Sequence, residues 1–438
     1  MRICPQLLDA GHEEDWAQLS EEVKRIKHLG LLRSVICVDS SSLAVRKDFS
    51  VTSPIPTEAK NEADPWFAKL QGRVADLIEH ARRPHPLGVT SYTPVAFGEA
   101  YPALYLRDFT YMAESAPEFI SLEHQRAIIA LLATHMSPEG FCPERISHDG
   151  EVIYICHGGR PAADSPLFLA KLVRAYLRHG GEAGLLVGIF PVLERAFTTV
   201  PVEASTGLVW VDPARPHTAY GFTDTIAITG RHLFCSLLRF EAAEILAELA
   251  RRLDASEAVE RYTAEAARIR ASLELLWSPE RALYLAGSVD CRQADVWGSA
   301  YAGVIGALDP ARRRLVADTL HAQRGRFLLR GQVRHLLLPE FWQRRVVVAE
   351  WTEPGTFQNG PYWGTATGWL AEMFELAAPG TGIALLRELV ADFEANGIWE
   401  CIGPEGYTRI ANNLSSACLP YAAWKKLREM AVIPPPKS

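Results

Sequence analysis

The chain has 438 residues, of which 48% are hydrophobic and 22% charged, with a formal net charge of −7. That balance suits a globular protein with a sizeable core. The acidic excess offers no basic footprint for nucleic acid, and no run of about 18 apolar residues predicts a membrane span.

In chain order, residues 1–60 read as an N-terminal appendage. The stretch 15–29 suits a helix, and the β-branched runs 32–38 and 43–51 suit two short strands. Pro54 and Pro56 mark a linker. No apolar run of signal-peptide length is found at the start. The eight cysteines are scattered without a CxxC pair, so free thiols in the cytoplasm are expected.

From residue 61 to 438 the pattern turns helical. Apolar spacing predicts twelve helices, near 66–83, 107–118, 123–136, 165–180, 184–199, 229–253, 256–277, 295–307, 310–322, 363–377, 381–395 and 412–430. In the sixth, Leu237, Leu238, Ala242, Ile245, Leu246 and Leu249 recur at helical spacing. Loops before the even-numbered helices are long, and loops after them are short. Short loops join antiparallel neighbours, while long ones carry sites. The expectation is an all-α, (α/α)6 toroid whose even helices form the inner ring.

A polar segment precedes each even helix. These are Arg107-Asp108-Phe109, Asp164-Ser165-Pro166, Gly221-Phe222-Thr223-Asp224, Asp295-Val296-Trp297, Gln358-Asn359-Gly360-Pro361-Tyr362-Trp363, and Trp399-Glu400 with Asn412-Asn413. Gathered at one rim, their carboxylates, amides and indoles would line a pocket for a small carbohydrate. Helix N-termini there add unpaired N–H groups and partial positive charge. A bland reading makes Asp164, Asp224 and Asp295 N-caps only.

These segments resemble the alkaline/neutral invertases. Arg107-Asp108-Phe109 is similar to their Ile-Arg-Asp-Phe. Asp164-Ser165 with Leu172-Val173-Arg174-Ala175-Tyr176 is similar to their Asp-Ser-Gly and Leu-Arg-Ala-Tyr. Gln358 to Trp363 is similar to their His-Asn-Gly-Gly-Ser-Trp, and Trp399-Glu400 falls where they carry Trp-Pro-Glu-Tyr-Tyr-Asp-Gly. The layout over about residues 100–430 also resembles other six-hairpin glycosidases, such as trehalases and processing α-glucosidases. The chain departs from the pattern at Pro166 and at Cys401-Ile402-Gly403.

The resemblance implies inverting hydrolysis of a short α-linked sugar, an α-glucoside or a sucrose-like substrate, cut from one end. It makes Asp164 the general acid and Glu400 the general base, with rivals in Asp108 for the acid and in Glu405 and Glu353 for the base. Arg107, Asp108, Asp224, Asp295, Gln358 and Asn359 are expected to hold hydroxyls. Trp297, Tyr362, Trp363 and Trp399 are expected to stack on a pyranose, and His157 and Glu405 to contact substrate. No cofactor or catalytic metal is expected: Gly158-Gly159 lacks the Lys-Ser/Thr of a phosphate loop, and Cys156-His157 lacks partners at metal spacing. Two alternatives stay open. One is a sugar epimerase or isomerase using histidines such as His157, His217 and His232; the other is a carbohydrate-binding scaffold without catalysis.

Overall fold

Two kinds of helix alternate along the chain, and their burial dictates the architecture. The computed structural model describes residues 64–432 apart from Glu99, so the expected N-terminal appendage lies outside the described residues. The described part holds twelve α-helices: α1 (Pro65–Ala81), α2 (Leu106–Ser115), α3 (Leu122–Thr134), α4 (Ser165–Arg178), α5 (Leu185–Thr198), α6 (Leu233–Arg252), α7 (Ser256–Ser272), α8 (Val296–Val304), α9 (Pro310–Ala322), α10 (Thr367–Ala377), α11 (Thr381–Asn396) and α12 (Ser415–Val432). Helix α6 is buried nearly all round, whereas α7 buries only Ala258, Tyr262, Ala266 and Ile269, a single stripe at helical spacing. A helix apolar on every side belongs inside, and one with a single apolar stripe belongs outside.

The packing follows. Helix α2 touches α4, α4 touches α6, α6 touches α8, α8 touches α10, α10 touches α12, and α12 returns to α2. The even helices therefore close an inner ring. Odd helices lie outside: α5, α9 and α11 each pack against both even neighbours, α3 packs against α4, α7 against α6, and α1 against α11 and α12. This is the (α/α)6 toroid.

Caps fix several outer helices where short loops enter them. Ser121 Oγ accepts from the His124 N–H at the start of α3. Asp309 does the same for Arg312 at the start of α9, which continues with Pro310 at its first position.

An aromatic plug fills the middle of the ring. Trp369 of α10 sits 5.0 Å from Tyr301 and 6.0 Å from Trp297 of α8, 5.6 Å from Phe234 of α6, and 6.3 Å from Tyr111 of α2, between ring centroids. Cavities lie on either side of it. At the C-terminal ends of the inner helices, one of about 630 Å³ is walled by ion pairs. There Lys171, 3% exposed, donates to Glu241 at 2.6 Å and Arg174 reaches the same carboxylate at 2.6 Å; Tyr301 donates to it as well.

The long loops at the other end carry short strands. Strands β1 (Ala103–Tyr105), β2 (Arg145–Ser147) and β3 (Val152–Ile153) form one antiparallel sheet. Strands β4 (Leu328–Leu329), β5 (Gln332–Arg334), β6 (Tyr362–Trp363), β7 (Trp399–Ile402) and β8 (Thr408–Ala411) form another, in chain order. Three expected helix starts move because of such structure. Helix α6 begins at Leu233 rather than 229, α10 at Thr367 rather than 363, and α12 at Ser415 rather than 412. No helix among the described residues is long and apolar enough to cross a membrane, and the six cysteines among them are free.

Candidate active site

A cavity of about 340 Å³ opens at the N-terminal ends of the inner helices. Loops before α2, α4, α6, α10 and α12 line it; the loop before α8 does not. Four of the six polar segments thus meet at one rim; the loop before α4 reaches it through Ile155, Cys156 and His157 rather than through the Asp164 segment, and the Asp295 segment does not line it.

Asp164 precedes α4 but is fully buried and does not line the cavity. Its Oδ2 accepts from Arg107 Nη1 at 3.2 Å and from the Gly221 N–H at 3.0 Å. Burial pushes its carboxyl up, against the pull of Arg107. The Arg107 guanidinium reaches on to Glu144 at 3.3 Å. It lies flat on Gly221, where an added Cβ would sit 1.7 Å from its Cζ, so only glycine admits it.

That glycine opens the turn holding Asp224. The Gly221 carbonyl accepts from Gln358 Nε2 at 3.0 Å, while Gln358 Oε1 accepts from the Thr225 N–H at 2.9 Å and the Thr225 hydroxyl at 2.8 Å. Asp224 is clamped on both sides and faces the cavity, its Oδ1 buried and without a hydrogen-bond partner. Burial raises its pKa, and His157 and Arg107 oppose the rise.

Glu400 faces the same cavity from β7. Successive strand residues point to opposite sides, so Glu400 turns inward while Trp399 turns away, its Nε1 donating to the Asn396 carbonyl at 2.8 Å. Glu400 Oε1 accepts from the Tyr101 hydroxyl at 2.7 Å and Oε2 from Arg409 Nε at 3.2 Å. Both donors favour the carboxylate, but burial dominates and pushes the group up to about 7. Asp108, in the first turn of α2, also lines the cavity and is raised to about 6 by burial, with Arg107 opposing.

Of the remaining expected residues, Arg107, His157, Gln358 and Trp363 line the cavity. Trp363 Nε1 is buried without a partner. The others do not line it, for identifiable reasons. Asp295 caps α8, accepting from the Gly298 N–H at 2.9 Å, and burial raises it to about 7. Trp297 belongs to the plug, its Nε1 donating to the Val333 carbonyl at 3.3 Å and its ring stacked on His335. Asn359 clamps its own loop by accepting from the Trp342 N–H at 2.8 Å. Tyr362 is paired in β6, opposite Arg334 and Ile402. Glu405 sits on an exposed turn, and Glu353 is exposed and paired with Arg345 at 2.7 Å. Of the histidines proposed for epimerisation, His232 is the buried cap of α6 and does not line the cavity, nor does His217. No cluster of three metal-ligating side chains exists among the described residues.

The structure adds residues that sequence reasoning passed over: Tyr101, Glu144, Arg145, Phe357 and, behind Glu400, Arg409. Phe357 adjoins the segment that starts at Gln358 and was within reach. Glu144 and Arg409 carry no local signal.

No family model matches the chain, and no curated protein matches it. Solved structures do. A GH63 mannosylglycerate hydrolase from Thermus thermophilus, in complex with glucose, is similar at 16% identity and a TM-score of 0.60, over 81% of this chain and 100% of that one. A rhamnosidase from Klebsiella oxytoca with rhamnose bound is similar at 16% identity and a TM-score of 0.61, over 85% of this chain and 65% of that one. A further glycosidase is similar at 15% identity and a TM-score of 0.57, over 83% and 98%. The chain therefore has the toroid fold seen in these glycosidases. The likeness does not single out the invertases.

Proposed function

We propose that the protein is an inverting glycoside hydrolase acting on a short α-linked sugar, with Asp224 as general acid and Glu400 as general base. The observation that carries this is the position of the two carboxyls. They come from the loops before α6 and α12, three steps apart in a ring of six, and both line the one cavity, an arrangement that suits opposite sides of a sugar. Asp164, expected from the resemblance to be the acid, lies beneath Arg107 and Gly221; its part in this reading is to position the turn bearing Asp224.

Inverting hydrolysis needs a protonated and an ionised carboxyl on opposite sides of the scissile bond, roughly 6.5–9.5 Å apart. Asp224, raised by burial and with a free oxygen, gives its proton to the leaving oxygen as the C1–O bond breaks. Glu400, held by Tyr101 and Arg409, takes a proton from the water whose oxygen bonds to C1. A cavity of about 340 Å³ is near the small end of ligand pockets, which run from roughly 300 to 1,000 Å³, and it suits a substrate of one or two rings.

The test is a panel of disaccharides and aryl glycosides, followed by released sugar and by NMR of the product anomer. Asp224→Asn and Glu400→Gln are each expected to lower kcat by about 10²–10⁴-fold with the circular dichroism unchanged. Full activity in both variants would sink the assignment.

A further inference from the structure

We infer that the cavity takes uncharged, hydroxyl-rich glycosides and rejects anionic ones. This rests on the reading of the cavity as a glycosidase site, and it follows from which charged groups there remain uncommitted.

Four carboxyls line the cavity: Asp108, Glu144, Asp224 and Glu400. Two guanidinium groups line it, and a third stands behind Glu400. All three are engaged. Arg107 spans Asp164 and Glu144. Arg145 Nη1 donates to Glu144 at 2.6 Å. Arg409 holds Glu400 and stacks on Phe357, 4.0 Å from its ring centroid. Glu144 is consumed between two arginines, but Asp108 takes no hydrogen bond from another residue among the described ones, and Asp224 Oδ1 has none. The free carboxylate acceptor is therefore Asp108, which binds O–H donors strongly, while Asp224, protonated in the proposed reading, turns its free oxygen to the leaving group.

Two free donors carry no charge, the Trp363 indole and the Asn413 amide. Trp363 Nε1 is unpartnered. Asn413 uses its Oδ1 to accept from Ser415 Oγ and the Ser416 N–H, which orients its amide nitrogen away from that cap. His157, at the exposed mouth, stands beside Asp224 and favours its ionised form. An anionic ligand entering here leaves its hydration for a site whose arginines are already paired and whose unpaired Asp108 carboxylate repels it. A polyol finds acceptors for its hydroxyls and one or two neutral donors for its oxygens.

The test uses the full chain at pH 8 with matched pairs: glucose and mannose against their uronic acids, and glucosylglycerol and mannosylglycerol against the corresponding glycerates. Calorimetry and the intrinsic tryptophan fluorescence report binding. The expected result is at least one neutral member bound, with its anionic partner about ten-fold weaker or more. Equal or tighter binding of the anionic partner overturns the inference, as does failure of every neutral member to bind at 50 mM. Asp108→Asn is expected to weaken the neutral ligand by about ten-fold and to narrow the gap; an unchanged gap counts against the inference. The hydrolytic reading is judged separately. A neutral glycoside bound but left intact removes hydrolysis and keeps this selectivity. Anionic and neutral glycosides cleaved alike keep hydrolysis and remove it.

Discussion

Glu400 accepts from a tyrosine and an arginine, and burial still lifts it to about 7. As a general base it must be ionised, so kcat/KM is expected to fall as pH drops through about 7. Arg409 favours the ionised form. Arg409→Met removes the cation and keeps an apolar stem, so the pKa rises and the acid limb moves up by about one pH unit. A pH–rate profile checks this; a limb that stays put or moves down excludes Glu400 as the base. At this scale the sequence discloses residue types better than depths. Asp164 and Asp224 both read as acids ahead of helices. What separates them is that Arg107 and Gly221 cover Asp164, and these contacts each span 57 positions, beyond the reach of local spacing. Glu400 stands out in the sequence, but Tyr101, which holds it from 299 positions away, does not.

Helices are legible because their packing leaves a periodic trace: all twelve appear within a few residues of the expected spans, and loop length identifies the inner ring. Short strands leave none. Trp363 reads as the start of a helix and lies in β6; Trp399 and Glu400 read as one loop, and the pleat of β7 sends them apart. Asp295 shows the cost of treating every helix start alike, since it is a cap. Its carboxyl rises to about 7 in the fold. A carboxyl raised above its ordinary value gives its full stability when protonated in both states and loses it as pH climbs from about 4 to 7. Asparagine caps as well as aspartate and carries no charge. Asp295→Asn is therefore expected to raise Tm at pH 8, to leave it unchanged near pH 3, and to leave kcat/KM intact. Asp295→Ala is expected to lose about 1 kcal/mol. Melting curves at the two pH values check both, and lost activity in the asparagine variant would return Asp295 to the substrate.

The ring has two ends, divided by the plug of Trp369, Tyr301, Trp297, Phe234 and Tyr111. The larger of the two cavities is the one away from the proposed chemistry, and Lys171, Arg174, Glu114 and Glu241 there pair with one another. Glu241 is lowered to about 2: burial opposes its ionisation, and Lys171 and Arg174 overcome that. Its contribution is present above the ordinary carboxylate value and is lost as pH falls towards 2. Lys171→Met leaves a buried carboxylate short of a partner and is expected to destabilise by roughly 3–5 kcal/mol, read as a lower denaturant midpoint, with KM unchanged. A changed KM would mean that the plug does not insulate the two ends. The site end is held differently. Glu400 belongs to the five-stranded sheet and Asp224 to the turn at Gly221. The Gln358 amide, next to Phe357 in the loop that leads into β6, reaches across to that turn through three hydrogen bonds. In carbohydrate hydrolysis the gap between two carboxyls sets whether the product keeps or flips its anomeric configuration. On the proposed reading, stereochemistry would then be partly a mechanical property, since the neutral Gln358 side chain ties the loop leading into β6 to the turn that bears Asp224.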